Sequence, residues 1–382
     1  MSHKVAYILG SGLSIPFGLP GVSELTERIL TSDQFAYLHT DQCYHVGLPA
    51  RLNQTGEIST KIAVEFIKLV QGIISHKAAL SRIPEPNYED IVDFIKQYHL
   101  SLTDEYENPA LSRTYLKEIR YFAFNYRVSV KRLLEYSIIL INCMLKHFLH
   151  HNHDVVLNKS ELLMKVIPDF LMSDQINLFT LNHDLLMEDY LVTKGITYSD
   201  GFHPNQDKLN YFDFNKFWQS PEQIRLVKLH GSIDRYYHNQ SMIKVSDPRY
   251  INDPSSNGFS DNFVPSVLSG KIVKMLDYSK PIHADLYSYF RVKLATEISK
   301  LIIVGYGFGD KGINNALNSW FKQNIYNRLI VVTLDEDALI SNARFAMGRI
   351  LADQGYWQNR RVVILDGGIE NLSSNSIRDA LS

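Results

Sequence analysis

Apolar positions along the chain follow two patterns. Short unbroken apolar runs stand at the start and in the second half, and helical spacing dominates between them. Val5 to Leu9 is apolar throughout, as expected for a central parallel strand covered on both faces. The turn Gly10-Ser11-Gly12-Leu13-Ser14 follows, and residues 23–30 read as a helix. Further strands are expected at 175–181, 224–229, 301–304, 329–334 and 361–365, with helical segments between several of them. Strands alternating with helices predict an α/β fold with a doubly wound parallel sheet.

The middle of the chain differs. Ile62, Phe66, Leu69, Val70 and Ile73 recur at helical spacing, and helices are expected near 88–99, 113–124 and 128–150. Residues 31–170 therefore read as a mostly helical insertion or assembly subdomain, with 1–30 and 171–382 forming the sheet domain. The aromatics Tyr115, Tyr121, Phe122, Phe124 and Tyr126 are expected in the core of that insertion. Residues 238–270 are rich in Pro, Gly and Ser and read as a long loop or lid, a candidate gate.

Composition narrows the class. The chain has 382 residues with 39 Lys plus Arg against 41 Asp plus Glu, a formal net charge of −2. This balance argues against disorder and gives no global attraction to nucleic acid or acidic lipid. The apolar run 137–145 has about half the length a bilayer needs and reads as a buried helix. Cys43 and Cys143 are too few for a zinc site of four cysteines or a disulfide framework, and they suit a reducing cytosol. His147, His150, His151 and His153 cluster near an expected helix end. Cations beside a helix C-terminus explain them more simply than a metal site does.

Candidate chemistry collects at strand ends. In an open α/β sheet, ligands bind at the carboxyl ends of the strands. That rule gathers Gly10–Ser14, Asn182–Asp184, His230–Ser232, Gly305–Asp310 and Asp335 around one crevice. The first turn is not the dehydrogenase fingerprint, because Ile15 stands where the third glycine belongs. The acidic ribose reader expected about 20 residues later is also missing, since Asp33 lies in a polar turn. A Gly-x-x-x-x-Gly-Lys-Ser/Thr loop is absent too. His230 follows an apolar strand directly, and an imidazole with an ordinary pKa of roughly 6.5 accepts a proton at neutral pH. The Asn182 amide is placed to position a ribose hydroxyl or a water, with Asp184 supporting the turn. An Asx turn for Asn182 and Asp184, and a capping or core role for His230, are the alternatives.

Four ordered motifs resemble the sirtuin-like superfamily: Gly10-Ser11-Gly12-Leu13-Ser14, Thr180-Leu181-Asn182-His183-Asp184, Lys228-Leu229-His230-Gly231-Ser232 and Val304-Gly305-Tyr306-Gly307-Phe308. Tyr88-Glu89-Asp90 and the turn Gly305 to Asp310 are similar to the sirtuin-like proteins of bacterial anti-phage defence. The resemblance implies a Rossmann-like sheet that takes NAD⁺ as substrate without a metal. Asn182, His230 and Asp184 would be its catalytic residues. Gly10, Ser11, Gly12, Ser14, Gly231, Gly305, Gly307 and Asp335 would hold NAD⁺, with the amides of residues 10–14 and the following helix N-terminus at the pyrophosphate. It also implies NAD⁺ cleavage that depletes the cofactor in an infected bacterial cytoplasm, homo-oligomer assembly, and a HerA-type hexameric ATPase partner. Contact with membrane is not expected, and nucleic acid would be reached only through a partner. No cysteine follows Cys143, so the zinc module that sirtuin deacylases place after the catalytic histidine is missing. The segment Ile15-Pro16-Phe17-Gly18 also departs from the deacylase pattern. A subunit that binds NAD⁺ or ADP-ribose to gate a partner, and a protein deacylase, are the other readings.

Overall fold

Unbroken apolar runs build the centre of the sheet. The computed structural model describes residues 4–32, 34–38, 43–46, 59–81, 85–102, 116–150, 153–168, 175–204, 209–238, 241–245, 264–267 and 282–382. Seven strands form one sheet: β1 (Lys4–Leu9), β2 (Ile176–Thr180), β3 (Tyr198–Ser199), β4 (Ile224–Lys228), β5 (Ile298–Val304), β6 (Arg328–Val332) and β7 (Val362–Leu365). Their order is β7-β6-β5-β1-β2-β4-β3, and every pairing is parallel. The register aligns the strand tips: Leu9 pairs with Val304 on one side and Thr180 on the other, and Thr180 pairs with Lys228.

From β1 the chain steps to β2 and β4, then returns to β5 on the other side of β1. The topological switch point therefore lies between the ends of β1 and β5, where open α/β sheets bind their ligands. Alternate side chains of β1 enter two different cores. Ala6 and Ile8 pack with Phe290, Leu317 and Met347 of helices His283–Thr296, Lys311–Gln323 and Phe345–Ala352. Tyr7 and Leu9 pack with Leu163, Tyr190 and Ile377 of helices Ser160–Val166, Leu186–Thr193 and Ser376–Leu381. Both faces are covered, which is why these strands carry no polar alternation.

The chain divides into two compact units. One comprises 1–21, 150–232 and 277–382 and holds the sheet; the other comprises 22–149 and 233–276. The second unit contains the helices Val22–Thr31, Thr60–Ser81, Tyr88–Leu102, Leu116–Asn125 and Val130–Phe148. Ser129 caps the last of these by accepting from Arg132 N at 3.2 Å. Tyr88-Glu89-Asp90 forms a helix start. The Asn87 side chain accepts from Glu89 N at 2.9 Å, and Asp90 reaches back to Asn87 N at 3.0 Å, the reciprocal arrangement of a capping box.

Three expectations need correction. Tyr121 and Phe124 are not core: they are 69% and 80% exposed. Helix Leu116–Asn125 buries Ile119 and Ala123, one turn apart, so 121 and 124 fall on its other face. Phe122 packs against Phe66 at a centroid distance of 5.6 Å. Second, Cys143 is disulfide-bonded rather than reduced. Third, the segment 238–270 is not loop throughout, because Ser241–Lys244 and Val264–Val267 are strands. The helix expected at 23–30 is present as Val22–Thr31. Two 3-10 turns, Ser11–Leu13 and Ile15–Phe17, intervene before Val22–Thr31. Asp33, Tyr115, His151 and the centre of the 238–270 loop lie outside the described residues. Among those residues no helix is long and apolar enough to cross a membrane.

Candidate functional site

The site begins with two glycine turns packed backbone to backbone at the switch point. Gly10 N donates to Val304 O and Gly12 N to Gly305 O, each at 2.9 Å. A Cβ at Gly10 would meet Gly305 O at 2.5 Å, and one at Gly12 would meet Gly305 Cα at 2.8 Å. Gly305 also has φ +65°, a conformation side chains rarely adopt. These three glycines are required by contact between the turns. Leu13 N and Ser14 N donate to Gly10 O and Ser11 O at 3.0 Å. Four of the five amides expected at a pyrophosphate are thus taken by backbone carbonyls, two within the turn and two at Val304 and Gly305. Among the described residues, Ser11 N–H has no backbone acceptor. Gly307 faces open space, with nothing within 4 Å of a Cβ position.

Asn182 and Asp184 follow β2 and tie its tip to the first turn. The Asn182 amide Nδ2 donates to Gly10 O at 3.0 Å and to Ser14 Oγ at 3.1 Å. Ser14 Oγ donates to Asp184 Oδ2 at 2.8 Å, while Asp184 Oδ1 accepts from Leu186 N at 3.0 Å. Asp184 thus forms an Asx turn, the alternative reading, and braces Ser14 as well. All three side chains are buried.

Beneath this loop lies an ion pair. Lys228 Nζ stands 3.0 Å from Glu188 Oε1, with side chains only 1% and 7% exposed, and it also donates to the Asp184 carbonyl. Buried charges persist only when paired and hydrogen-bonded. Lys228 therefore joins the end of β4 to the loop that carries Asn182. In the sequence Lys228 reads as part of a strand and as the first residue of the motif Lys228-Leu229-His230-Gly231-Ser232. A further signal there is the charge itself, a lysine two residues before His230 in a run whose other charged residue is Arg225.

His230 follows β4 at the strand tip, as expected. Gly231 turns the chain there with φ +78°. His230 Nε2 lies 3.2 Å from Asp310 Oδ2 in an ion-pair approach that is not aligned as a hydrogen bond. Its ring centroid is 6.3 Å from that of His183. Asp310 is the N-cap of helix Lys311–Gln323, its Oδ1 accepting from Ile313 N at 3.0 Å. The Tyr306 hydroxyl donates to Asn314 Oδ1 at 3.0 Å and accepts from Asp310 N at 3.1 Å. Phe308, in the left-handed region at φ +52°, is held there by bonds to its carbonyl from Asn314 Nδ2 at 2.7 Å and Arg344 N at 3.2 Å. A strained non-glycine residue of this kind persists only where its surroundings fix it. Nearby, burial raises the Tyr287 hydroxyl above its ordinary 10.0; Arg291 opposes the shift and Asp310 adds to it. Tyr287 accordingly stays protonated and donates to Gly312 O at 2.9 Å.

Asp335 sits at the tip of β6, exposed. Its Oδ1 caps helix Glu336–Asn342 by accepting from Ala338 N at 2.8 Å. Burial first, then Asp366 and Asp337, raises the neighbouring Glu336 carboxyl above its ordinary 4.5. Among the described residues no group of three His, Cys, Asp or Glu side chains is placed to hold a metal ion.

Comparison with known proteins adds a family signal over part of the chain. None of the curated proteins matches it. Solved structures overlap it at low similarity. Sir2Tm bound to a propionylated peptide aligns with a TM-score of 0.39 and 11% identity, covering 99% of this chain and 94% of that one. Sir2 in complex with EX-527, 2'-O-acetyl-ADP-ribose and deacetylated p53 peptide gives 0.39 and 10%, covering 99% and 95%. Sir2 with p53 peptide and NAD⁺ gives 0.34 and 11%, covering 93% and 92%. The sequence model of the SIR2-like domain matches residues 177–347, a stretch that carries Asn182, Asp184, His230, Gly305 and Asp310.

Proposed function

We propose that the chain hydrolyses NAD⁺ to nicotinamide and ADP-ribose, with Asn182 and His230 as catalytic residues. One observation carries this reading: both side chains are buried at the tips of neighbouring strands, beside the switch point of a parallel sheet. The SIR2-like match over the same residues supports it.

The chemistry suits such a site. The bond between nicotinamide nitrogen and ribose C1′ breaks, and nicotinamide leaves neutral with the bonding electron pair. The ribose left behind has oxocarbenium character and is captured by water. Asn182 orients the ribose or the water, and His230 takes the proton that the attacking water loses. A buried site excludes bulk water and strengthens the fixed dipoles acting on the developing charge. Ser11 and Gly307 are the turn residues left to meet the dinucleotide, while Gly10, Gly12 and Gly305 serve by packing the two turns together. Asp184 acts through Ser14 and the loop rather than at the ribose.

Depletion of NAD⁺ in bacterial defence, a homo-oligomeric assembly and a HerA-type ATPase partner belong to the same proposal and rest on the sequence motifs. The test is incubation of the purified chain with NAD⁺, alone and with an acetyl-lysine peptide. Nicotinamide and ADP-ribose released without peptide support hydrolysis. Release only with peptide, accompanied by loss of the acetyl group, identifies a deacylase. Tight NAD⁺ binding without turnover identifies a binding subunit.

A further inference from the structure

We propose that Asp310 is the positioning residue for His230, a role that rests on the reading of His230 as the proton acceptor. The two side chains come from different parts of the sheet edge: His230 from the tip of β4, Asp310 from the turn after β5. They meet at 3.2 Å with side chains only 6% and 11% exposed. In a site so shielded, a carboxylate beside an imidazole acts with little screening. It fixes the ring's orientation and stabilises the imidazolium formed when the ring takes a proton.

Asp310 is itself held in place. One carboxylate oxygen caps helix Lys311–Gln323 and the other faces His230. Its backbone N–H donates to Tyr306 OH at 3.1 Å, and that tyrosine is fixed by Asn314. Asn314 in turn holds the strained Phe308 carbonyl at 2.7 Å. The turn from Gly305 to Asp310 thus sets the carboxylate relative to the ring. The present approach is not aligned as a hydrogen bond, and contacts of this kind tighten when the substrate complex forms.

Because Asn caps helices as well as Asp does, Asp310→Asn removes the charge facing His230 and keeps the cap. In the full chain, D310N should keep its melting temperature and its NAD⁺ affinity by calorimetry, and lose kcat by about 100-fold. Asp310→Glu, which restores a carboxylate, should recover part of that loss. Asp310→Ala should lose kcat and melt lower as well. The ¹⁵N resonances of the His230 ring should shift between the natural chain and D310N. Natural kcat in D310N, or a kcat loss matched by falls in melting temperature and NAD⁺ affinity, would overturn the role. If the natural chain does not cleave NAD⁺, the hydrolase reading fails. The ring resonances then decide the Asp310 role alone: unchanged His230 signals in D310N overturn it, and shifted ones sustain the coupling.

Discussion

The Ser14 hydroxyl donates to the Asp184 carboxylate at 2.8 Å, joining the turn after the first strand to the turn after the second across 170 positions of sequence. The same hydroxyl accepts from Asn182 Nδ2 at 3.1 Å. One small side chain therefore holds both the amide proposed to meet the ribose and the carboxylate that braces its loop. Ser14→Ala leaves a buried carboxylate oxygen without this donor, a loss of about 1–3 kcal/mol. Denaturant unfolding should show that loss, and NAD⁺ cleavage should fall by more than the change in folded fraction explains.

The buried pair of Lys228 and Glu188 gives a sharper stability test. Lys228→Met strands the Glu188 carboxylate in the interior and should cost about 3–5 kcal/mol. The double variant Lys228→Met with Glu188→Leu removes both charges and should recover much of the loss. Equal destabilisation of the single and double variants would show that the pair is not the source of the effect.

The glycines separate packing from ligand contact. Gly305→Ala forces a side chain onto a positive φ and onto the Gly12–Leu13 backbone. A loss of about 2 kcal/mol or more is expected in unfolding measurements. Gly307 has open space around it. Gly307→Ala should leave unfolding within about 0.5 kcal/mol of the natural chain. Weaker NAD⁺ binding in a folded Gly307→Ala chain would mark it as a contact to the dinucleotide.

Acid sensitivity is expected at Glu297. Burial raises this carboxyl, but the hydrogen bonds from Lys293 and Lys4 outweigh it and hold the group below its ordinary 4.5. A carboxylate whose folded pKa is depressed adds stability above its unfolded pKa and loses it as the pH falls through the folded value. The contribution is full at neutral pH and fades below 4.5. The side chain is 29% exposed, so solvent screening keeps the effect under about 1 kcal/mol. Unfolding of Glu297→Gln across acid pH should show a flatter dependence than the natural chain.

Much of the sheet is legible in the amino-acid sequence, because strands buried on both faces leave unbroken apolar runs. Val5 to Leu9 and the run 329–334 mark β1 and β6 to within two residues. The two-residue strand Tyr198–Ser199 carries no such run and leaves no trace in the pattern. Asn182, His230 and the glycine turns stand out as polar or small residues closing apolar segments. What they do there is less visible. The loss of the Gly10 and Gly12 amides to the carbonyls of Val304 and Gly305 comes from a contact nearly 300 residues away, and local sequence does not encode that contact. The approach of Asp310 to His230 is equally non-local. Tyr121 and Phe124 mislead for the opposite reason, since aromatic content suggests burial while the helical period of Ile119 and Ala123 decides which face is inward.

The central claim is that Asn182 and His230 cleave NAD⁺. Its most direct measurement is nicotinamide release from NAD⁺ by the purified natural chain, Asn182→Ala and His230→Ala, each confirmed folded by thermal melting. The natural chain should release nicotinamide and ADP-ribose in equal amounts, and each variant should lose at least about 100-fold in rate. Release at the natural rate by either folded variant would contradict the assignment.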